Sequence, residues 1–337
     1  MSIITVGPTG MFSDIPDAVA AAASGDTVQV QSGTYTDQFI TIRQSITLQA
    51  VNGQVLLRET HAPPDGKAMI TESGAHVAIN GFDIAGVSVP DRNGAAIRYE
   101  GGSLSLSDDY FHDNQEGLLG AEDATGSISI NHSEFSHNGD GSGSTHNIYV
   151  GAIANFSITN SYVHDAVVGH EIKSRAANNT ITGNRIFDND GSASYSVDLP
   201  NGGSAAISNN VIEQGAHTQN PFVFAYGEEG ITHAGSASIS NNTIVNDDPS
   251  GVGVLSPTPV SFTGNQVWNL PNLGNVSASN NIVLLSRPVL DTTPLTFITT
   301  PPPTHGHGHG KPPKPRLHVF LNPMPRGMLA VDLLPRV

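Results

Sequence analysis

The chain of 337 residues contains 14 Lys and Arg against 30 Asp and Glu, a formal net charge of −16. A chain this acidic is not expected to bind nucleic acid through general electrostatic attraction. It contains no cysteine, which excludes disulfides, thiolate catalysis and cysteine metal sites. With 36 glycines, 22 prolines and only 13% charged residues, the composition indicates a turn-rich chain of short strands with little helix.

Targeting signals are not visible in the sequence. Residues 1–6 lack the basic start and the apolar core of a secretory signal. No segment approaches the ~18 consecutive apolar residues that a membrane span needs. We therefore expect no secretory leader and no contact with a membrane. Separately, we expect the protein to be a monomer. The cellular location stays open: outside the cell or in the periplasm after export by another route, or in the cytoplasm.

The first predicted element is a helix over residues 16–23. Ser13 and Asp14 precede it, Pro16 occupies its first turn, and Ser24 with Gly25 ends it. Strand patterns follow at 26–35, 40–42 and 46–48. Because the open end of a stack of strands invites edge pairing, we interpret residues 13–25 as an N-terminal cap.

A short phrase then recurs seven times, beginning with an apolar residue about every 23–32 positions, and residues 104–107 supply a degenerate copy. A typical copy reads Ile-Ser-Asn-Asn-Val-Ile. The copies lie at 79–82, 130–135, 158–163, 181–186, 207–212, 239–244 and 262–267. A period of this size indicates a solenoid.

Each copy alternates apolar residues with Ser, Thr or Asn, which is the pattern of a strand with one buried face. The Asn-Asn, Gly-Asn or Asn-Ser pair predicts a bend, since Asn and Gly tolerate left-handed backbone. Stacked on successive coils, such asparagines can form a hydrogen-bonded ladder. We predict an all-β fold, a single-stranded parallel β-helix over residues 1–298.

The tail from 299 to 337 has a different composition, rich in Pro, Gly and His, with three His-Gly repeats at 305–310. Five of the 14 basic residues lie beyond residue 300, with one acidic residue, Asp332. We predict a disordered tail, in which alternating His and Gly would hold a transition metal only loosely.

The opening of the chain resembles that of bacterial right-handed β-helix proteins of the pectate-lyase-like superfamily. The resemblance is carried by Val6-Gly7-Pro8, the Ala-rich helix, Gly25-Asp26-Thr27-Val28 and Gly33-Thr34-Tyr35, and with the repeats it spans roughly residues 3 to 285. It implies a right-handed β-helix. The superfamily includes polysaccharide lyases, galacturonases, epimerases and phage tailspikes, so the fold leaves the reaction open.

Cationic side chains are scarce, which draws attention to one strand. Lys67 and Lys173 are the two lysines of the first 300 residues, and Lys173 lies two residues before Arg175. Alternation predicts Glu171, Lys173 and Arg175 on the outer face, with Ile172 inward. The alternative to a functional site is a cluster of surface ion pairs, which would contribute little to the free energy of unfolding.

The repeat supplies a register between coils. Ile148 precedes Ile172 by 24 residues and Val197 follows it by 25. This register predicts an outer column of Tyr149, Lys173 and Asp198, with His146 below His170. Further polar residues of the same region are predicted to bind substrate: Asp198, Asn201, Asn220, Tyr226, Glu228 and Glu229.

A cluster of this composition suits β-elimination from a uronate-containing polysaccharide. That reaction needs a cation for the carboxylate, a base for the α-proton and an acid for the leaving oxygen. We assign Lys173 as the base and Arg175 as the cation, with His146, His170 or Tyr149 as the acid. The expected partner is an acidic polysaccharide or oligosaccharide.

The same segment resembles, more narrowly, the alginate lyase and chondroitinase B family. The similarity rests on Glu-Ile-Lys-Ser at 171–174, Asn178 and Ile-Thr-Gly-Asn at 181–184. It implies Lys173 as the proton-abstracting base and calcium ligands at Asn147 and Glu171. The chain departs from the family's Leu-Arg-His-Gly motif, because residues 198–202 read Asp-Leu-Pro-Asn-Gly.

Two other functions remain open from the sequence. Inverting glycoside hydrolases use two carboxylates roughly 6.5–9.5 Å apart, which Asp198 with Glu228 or Glu171 would provide across one or two coils. A non-catalytic module would bind sugar chains through Tyr149, Tyr226 and Phe224 together with Asn and Asp side chains.

Overall fold

The structure, a computed structural model, describes residues 1–73 and 75–297. Throughout this part the strands pair in parallel, and successive coils stack strand upon strand. One face of the solenoid is a sheet of ten strands, which we call the site sheet. Its strands are Ile40–Ile42, Ala68–Glu72, Ala95–Tyr99, Glu116–Gly120, Ile148–Val150, Ile172–Ser174, Val197–Leu199, Phe222–Tyr226, Val252–Leu255 and Asn272–Gly274.

The other strands form one sheet of 21 strands that is bent into two rows. The first row contains Ile3–Val6, Thr27–Thr36, Ile46–Arg58, Ala75–Asn80, Gly102–Ser107, Asp123–Asn131, Ile153–Thr159, Asn178–Thr182, Ser204–Ser208, Ala237–Ser240, Val260–Thr263 and Val276–Ser279. The second row contains Phe82–Ala85, Tyr110–His112, Glu134–Ser136, Tyr162–His164, Arg185–Phe187, Val211–Gln214, Thr243–Asn246, Gln266–Trp268 and Ile282–Val283. Thr27–Thr36 and Ile46–Arg58 extend into both rows.

The core lies inside the coils and consists of stacked apolar side chains. On the site sheet Ile97, Leu118, Ile148, Ile172 and Val197 are register partners of one another, and all are fully buried. Because neighbouring residues of a strand point to opposite faces, each coil contributes one apolar residue to this column. The predicted parallel β-helix is confirmed.

The predicted N-terminal helix is also confirmed, as Ile15–Ala21. Asp14 caps it by accepting a hydrogen bond from the Asp17 amide at 3.0 Å, which satisfies one of the free N–H groups of the first turn. Its buried face, with Ile15 and Val19, packs on the first strands and joins the core.

The two members of each Asn or Gly-Asn pair of the repeat have different structural roles. The first member lies at the bend with a positive φ, as in Asn209 (φ 57°) and Gly183 (φ 72°). The second member is buried and belongs to a ladder that crosses the coils, in which each side chain hydrogen-bonds the next: Asn184, Asn210, Asn242, Asn265 and Asn281. Both parts of the prediction for this pair are confirmed.

After the last strand the chain turns back along the second row of strands. Arg287 pairs with Asp247 at 2.6 Å, and further on the amide of Leu295 donates to Glu134 Oε2 at 2.6 Å. Because Glu134 lies several coils nearer the N-terminus than Asp247, this segment runs opposite to the direction of the solenoid. The sequence pattern did not predict it.

Two further expectations from the sequence concern membrane-spanning helices and the C-terminal tail. No helix among residues 1–73 and 75–297 is long and apolar enough to cross a membrane. The predicted tail at 299–337 lies outside the described residues, so the boundary near residue 298 stays a prediction.

Candidate functional site

The outer face of the site sheet carries the predicted column. Tyr149 is the register partner of Lys173, and Lys173 is the partner of Asp198. Neighbouring strands of a sheet lie about 4.8 Å apart, so these side chains are in reach of one another. The register predicted from the repeat is confirmed at these coils.

Two cations hold one carboxylate at this column. Lys173 Nζ lies 2.9 Å from Asp198 Oδ2 and 3.1 Å from Glu229 Oε1, and Arg175 Nη2 lies 2.7 Å from Glu229 Oε2. Glu229 therefore bridges the two basic side chains. The Glu229 side chain is 43% exposed whereas that of Lys173 is 11% exposed, so Glu229 covers the lysine from the solvent side.

Arg175 is fixed by further contacts. Its Nε donates to the hydroxyl of Tyr149 at 2.9 Å, and its Nη1 donates to Asn201 Oδ1 at 2.6 Å. With Glu229, the guanidinium thus has a partner on three sides. A guanidinium held in this way presents its donors in a fixed orientation, which suits recognition of a carboxylate.

These contacts keep both cations charged. Burial by itself would lower the pKa of Lys173, but the Asp198 and Glu229 carboxylates outweigh it and raise the pKa above the ordinary value. Burial would raise the pKa of Glu229, yet its hydrogen bonds with Arg175 and Lys173 lower it. At neutral pH the three groups form a charged cluster.

Two stacked imidazoles lie beside this cluster, as the register predicted. The rings of His146 and His170 are 4.6 Å apart, and the His170 amide donates to His146 Nδ1 at 3.0 Å. His170 Nε2 lies 3.3 Å from Asp198 Oδ2, while its Nδ1 is buried without a hydrogen-bond partner among the described residues.

Burial dominates the protonation of both histidines. It lowers the pKa of His170 to about 4, although the Asp198 carboxylate acts in the opposite direction. The pKa of His146 lies well below its ordinary value because of burial and the neighbouring His170 and Lys173. Both rings are therefore neutral at neutral pH, and because His146 Nδ1 already accepts from the His170 amide, His170 is the ring left to accept a proton.

Glu228 supplies an uncharged acid next to these groups. Burial and the adjacent Asp198 carboxylate raise the pKa of Glu228 to about 8. At neutral pH Glu228 thus carries a proton. The cluster therefore combines two cations, neutral imidazoles and a protonated carboxyl.

Two predicted substrate-binding residues do not reach the outer face. Tyr226 is buried in the core, and its hydroxyl donates to the Gly203 carbonyl at 2.8 Å. Asn220 Nδ2 donates to the Ser194 carbonyl at 2.8 Å, and its Oδ1 accepts from the Phe222 amide. Asn220 therefore orders the turn before its own strand.

The prediction that Glu171 points outward is wrong. The strand begins at Ile172, and Glu171 lies in the preceding turn, fully buried. Its carboxylate accepts hydrogen bonds from the Ala166 amide at 2.9 Å and from Asn147 Nδ2 at 2.5 Å. Burial raises the pKa of Glu171 well above its ordinary value.

Asn147 and Glu171 consequently do not fit a calcium site. Asn147 is fully buried, and its side-chain oxygen already accepts from the amide and the side chain of Asn138. Its nitrogen, a donor, faces the carboxylate. Calcium takes six to eight oxygen ligands, and this pair instead continues a buried hydrogen-bond ladder.

Tyr195 belongs to the cluster and was missed in the sequence. Its ring contacts the ring of His170 edge-on at 5.0 Å, so it extends the column of His146 and His170 by one coil. The signal was present, because the 25-residue step from Ile172 to Val197 also leads from His170 to Tyr195.

The fold is shared with known proteins. The model of a family described as the right handed beta helix region matches residues 67–267. ORF18 of Geobacillus virus E2 is 14% identical with a TM-score of 0.54, over 80% of this chain and 56% of that protein, so the chain spans little more than half of its length. No curated protein sequence matches the chain.

Two enzymes are more distant structural neighbours. Pectate lyase Pel9A is 16% identical with a TM-score of 0.49, over 84% of this chain and 76% of that one. A mannuronic acid specific polysaccharide family 6 lyase from human gut microbiota is 11% identical with a TM-score of 0.27, over 84% and 82%. At such identities, solved structures bear on the fold alone.

Proposed function

We propose that this chain, which belongs to the family of right-handed β-helix proteins, binds an acidic polysaccharide at the outer face of the site sheet and cleaves it by β-elimination. One observation carries the proposal. Lys173 and Arg175 converge on the carboxylate of Glu229, the most exposed member of the cluster. A uronate carboxylate has the same charge and shape as that group.

Substrate binding would then be an exchange of carboxylates. A uronate would take the place of Glu229, so that Lys173 and Arg175 keep an anionic partner throughout. Glu229 lies between Gly227 and Gly230, which both have positive φ, 73° and 104°. Such a turn can change its backbone conformation at low cost, which would uncover Lys173.

The proposed reaction uses the protonation states of the cluster. Lys173 and Arg175 neutralise the uronate carboxylate, which acidifies the neighbouring C–H bond. That proton moves to neutral His170, its bonding electrons form the carbon–carbon double bond, and the bond to the leaving oxygen breaks. The leaving oxygen takes the proton of Glu228, and the hydroxyl of Tyr149 is the alternative donor.

The proposal revises the role of Lys173. The resemblance to alginate lyases implies that Lys173 is the base, and a base must be unprotonated when it acts. The raised pKa of Lys173 favours a permanently charged group that binds the substrate carboxylate. The low pKa of His170, about 4, favours the imidazole as the proton acceptor.

The carboxylate spacing argues against inverting hydrolysis. That mechanism needs two carboxyl groups roughly 6.5–9.5 Å apart, with a water between them. Here Asp198 is close enough to raise the pKa of Glu228, while Asp198 and Glu229 contact the same ammonium group. Glu171, the other partner considered for Asp198, is buried in a ladder.

The test is an assay of the full chain on alginate, pectate and glycosaminoglycans. The ultraviolet absorbance of an unsaturated uronate should appear with one of them, and Arg175→Gln should abolish it. Arg43→Gln, which removes an exposed arginine at the other end of the solenoid, is the matched control and should retain activity. New reducing ends without that absorbance would indicate hydrolysis, and binding without turnover would indicate a binding module; either result refutes the lyase.

A further inference from the structure

A second cluster lies at the bend that follows the second row of strands. Strands Glu134–Ser136 and Tyr162–His164 pair in parallel, with Ser136 opposite His164. His137 and Asp165 follow these partners directly, so they stack on neighbouring coils. The possible ligand atoms of His137, His164 and Asp165 all lie within 4.8 Å of one another.

We propose that His137, His164 and Asp165 bind one divalent transition metal ion, of which zinc is the best match. Imidazole nitrogens and a carboxylate oxygen are the ligands that zinc uses when cysteine is not available. The chain contains no cysteine, so these residue types are its means of holding such an ion.

The surroundings of His164 support this assignment. Its Nδ1 lies 2.6 Å from Asp165 Oδ2, while its Nε2 lies 3.2 Å from Glu134 Oε1. Glu134 is buried and held in turn by the Leu295 amide. A carboxylate on the far nitrogen fixes the ring and increases its basicity, as is typical of metal-binding histidines.

The cluster also faces an open pocket. His137 and Asp165 form part of its wall, and the turn of the next coil forms the opposite side, which includes Asn189, Asp190, Gly191 and Ser192. Three protein ligands leave a fourth zinc position for water or a small ligand. The pocket gives that position access to solvent.

The chain contains an internal comparison for this site. His112 lies 2.6 Å from Asp113 and 3.1 Å from Asp83, which repeats the contacts of His164 with its two carboxylates. His112 is the register partner of Ala85, just as His164 is the partner of Ser136. The residue after Ala85, however, is Gly86, whereas the residue after Ser136 is His137. The His–Asp pair alone is thus a recurrent ion pair, and His137 is the residue that completes a ligand set.

The experiment is a calorimetric titration of the full chain with zinc chloride. All variants carry His305→Ala, His307→Ala, His309→Ala and His318→Ala, so that the tail cannot contribute imidazoles. We expect one zinc ion per chain and a zinc-dependent rise of the melting temperature. His137→Asn should weaken binding at least tenfold, because an amide is a poor zinc ligand while Asn tolerates the positive φ of 53° at this position.

His112→Asn is the matched control and should bind zinc as tightly as the parent. Since His137 is exposed, its replacement should leave the fold intact, which circular dichroism checks. A second measurement uses cobalt, whose visible spectrum should indicate four-coordinate nitrogen and oxygen ligation in the parent and lose that signature in His137→Asn. Zinc affinity unchanged in His137→Asn, equally lost in His112→Asn, or absent from the parent would overturn the proposal.

Discussion

The buried asparagine ladder allows a quantitative prediction at Asn210. Its Oδ1 accepts from the backbone amide of Asn184 at 2.9 Å and from Asn184 Nδ2 at 3.0 Å. Its Nδ2 donates to the Ile181 carbonyl at 2.9 Å and to Asn242 Oδ1 at 3.0 Å. Asn210→Ala removes all four hydrogen bonds at a position that is 2% exposed.

The expected cost follows from what the substitution leaves behind. The buried amide of Asn184 loses its partner, which costs about 1–3 kcal/mol, and each of the other lost bonds adds up to about 1 kcal/mol. We therefore expect Asn210→Ala to lower the free energy of unfolding by about 3–5 kcal/mol. The smaller alanine side chain leaves part of the site empty. The coils above and below cannot move in to fill it, because the same ladder holds them in place.

Asn178→Ala is the matched control. Asn178 also donates two hydrogen bonds to the preceding coil, to the Ala154 carbonyl at 3.0 Å and to Asn155 at 3.3 Å, but it is exposed. Water replaces these bonds, so the change should stay within about 0.5 kcal/mol. Urea unfolding followed by circular dichroism measures both variants. Equal shifts of the two midpoints would refute the assignment of stability to burial of the ladder.

Three further predictions concern carboxyl groups. Glu72, fully buried, has a pKa raised from 4.5 to about 8 by burial and nearby acidic groups, so the folded chain retains a proton that the unfolded chain releases. Glu72 should therefore lower stability by up to about 5 kcal/mol as pH rises from 4.5 towards 8, and Glu72→Gln should remove this contribution in urea unfolding; an unchanged pH slope would contradict it. Glu229→Gln weakens the hold on Lys173 and Arg175, so the KM for the acidic polysaccharide should decrease several-fold in steady-state kinetics, whereas an increased KM would argue against displacement. Glu228→Gln removes the proposed proton donor, so kcat should fall and the alkaline limb of the pH–rate profile near 8 should disappear; a retained limb would assign the donor elsewhere.

Much of the fold could be predicted because each coil repeats the same local rule. An apolar residue alternates with a polar one, and an Asn or Gly then allows the bend, as in Ile207–Ser208 followed by Asn209 and Asn210. The constant step between coils follows from parallel pairing, so the sequence also predicted the column of Tyr149, Lys173 and Asp198. The same step would have identified Tyr195.

One error arose where alternation was extended beyond the end of a strand, and another where it was not applied within a strand. Glu171 is only two residues from Lys173, but it precedes the strand, and the turn there directs its carboxylate towards Ala166 and Asn147. Tyr226 is a different error: it lies two residues after Phe224 on the same strand and pairs with buried Leu199, so alternation within that strand places it in the core. Alternation predicts facing only within a regular strand, because a turn resets the direction of each side chain.

The sequence by itself determined the solenoid, its period, its capping helix and the column on which Lys173 lies. Only the tertiary structure decided what Lys173 contacts, because Glu229 is 56 residues away in sequence and reaches it from a turn between two glycines. It also decided that Glu228 holds a proton and that His170 does not, since burial by neighbouring coils sets those pKa values. Strand pairing follows a repeating local pattern, whereas side-chain contacts made by turns depend on backbone conformations that no repeat specifies.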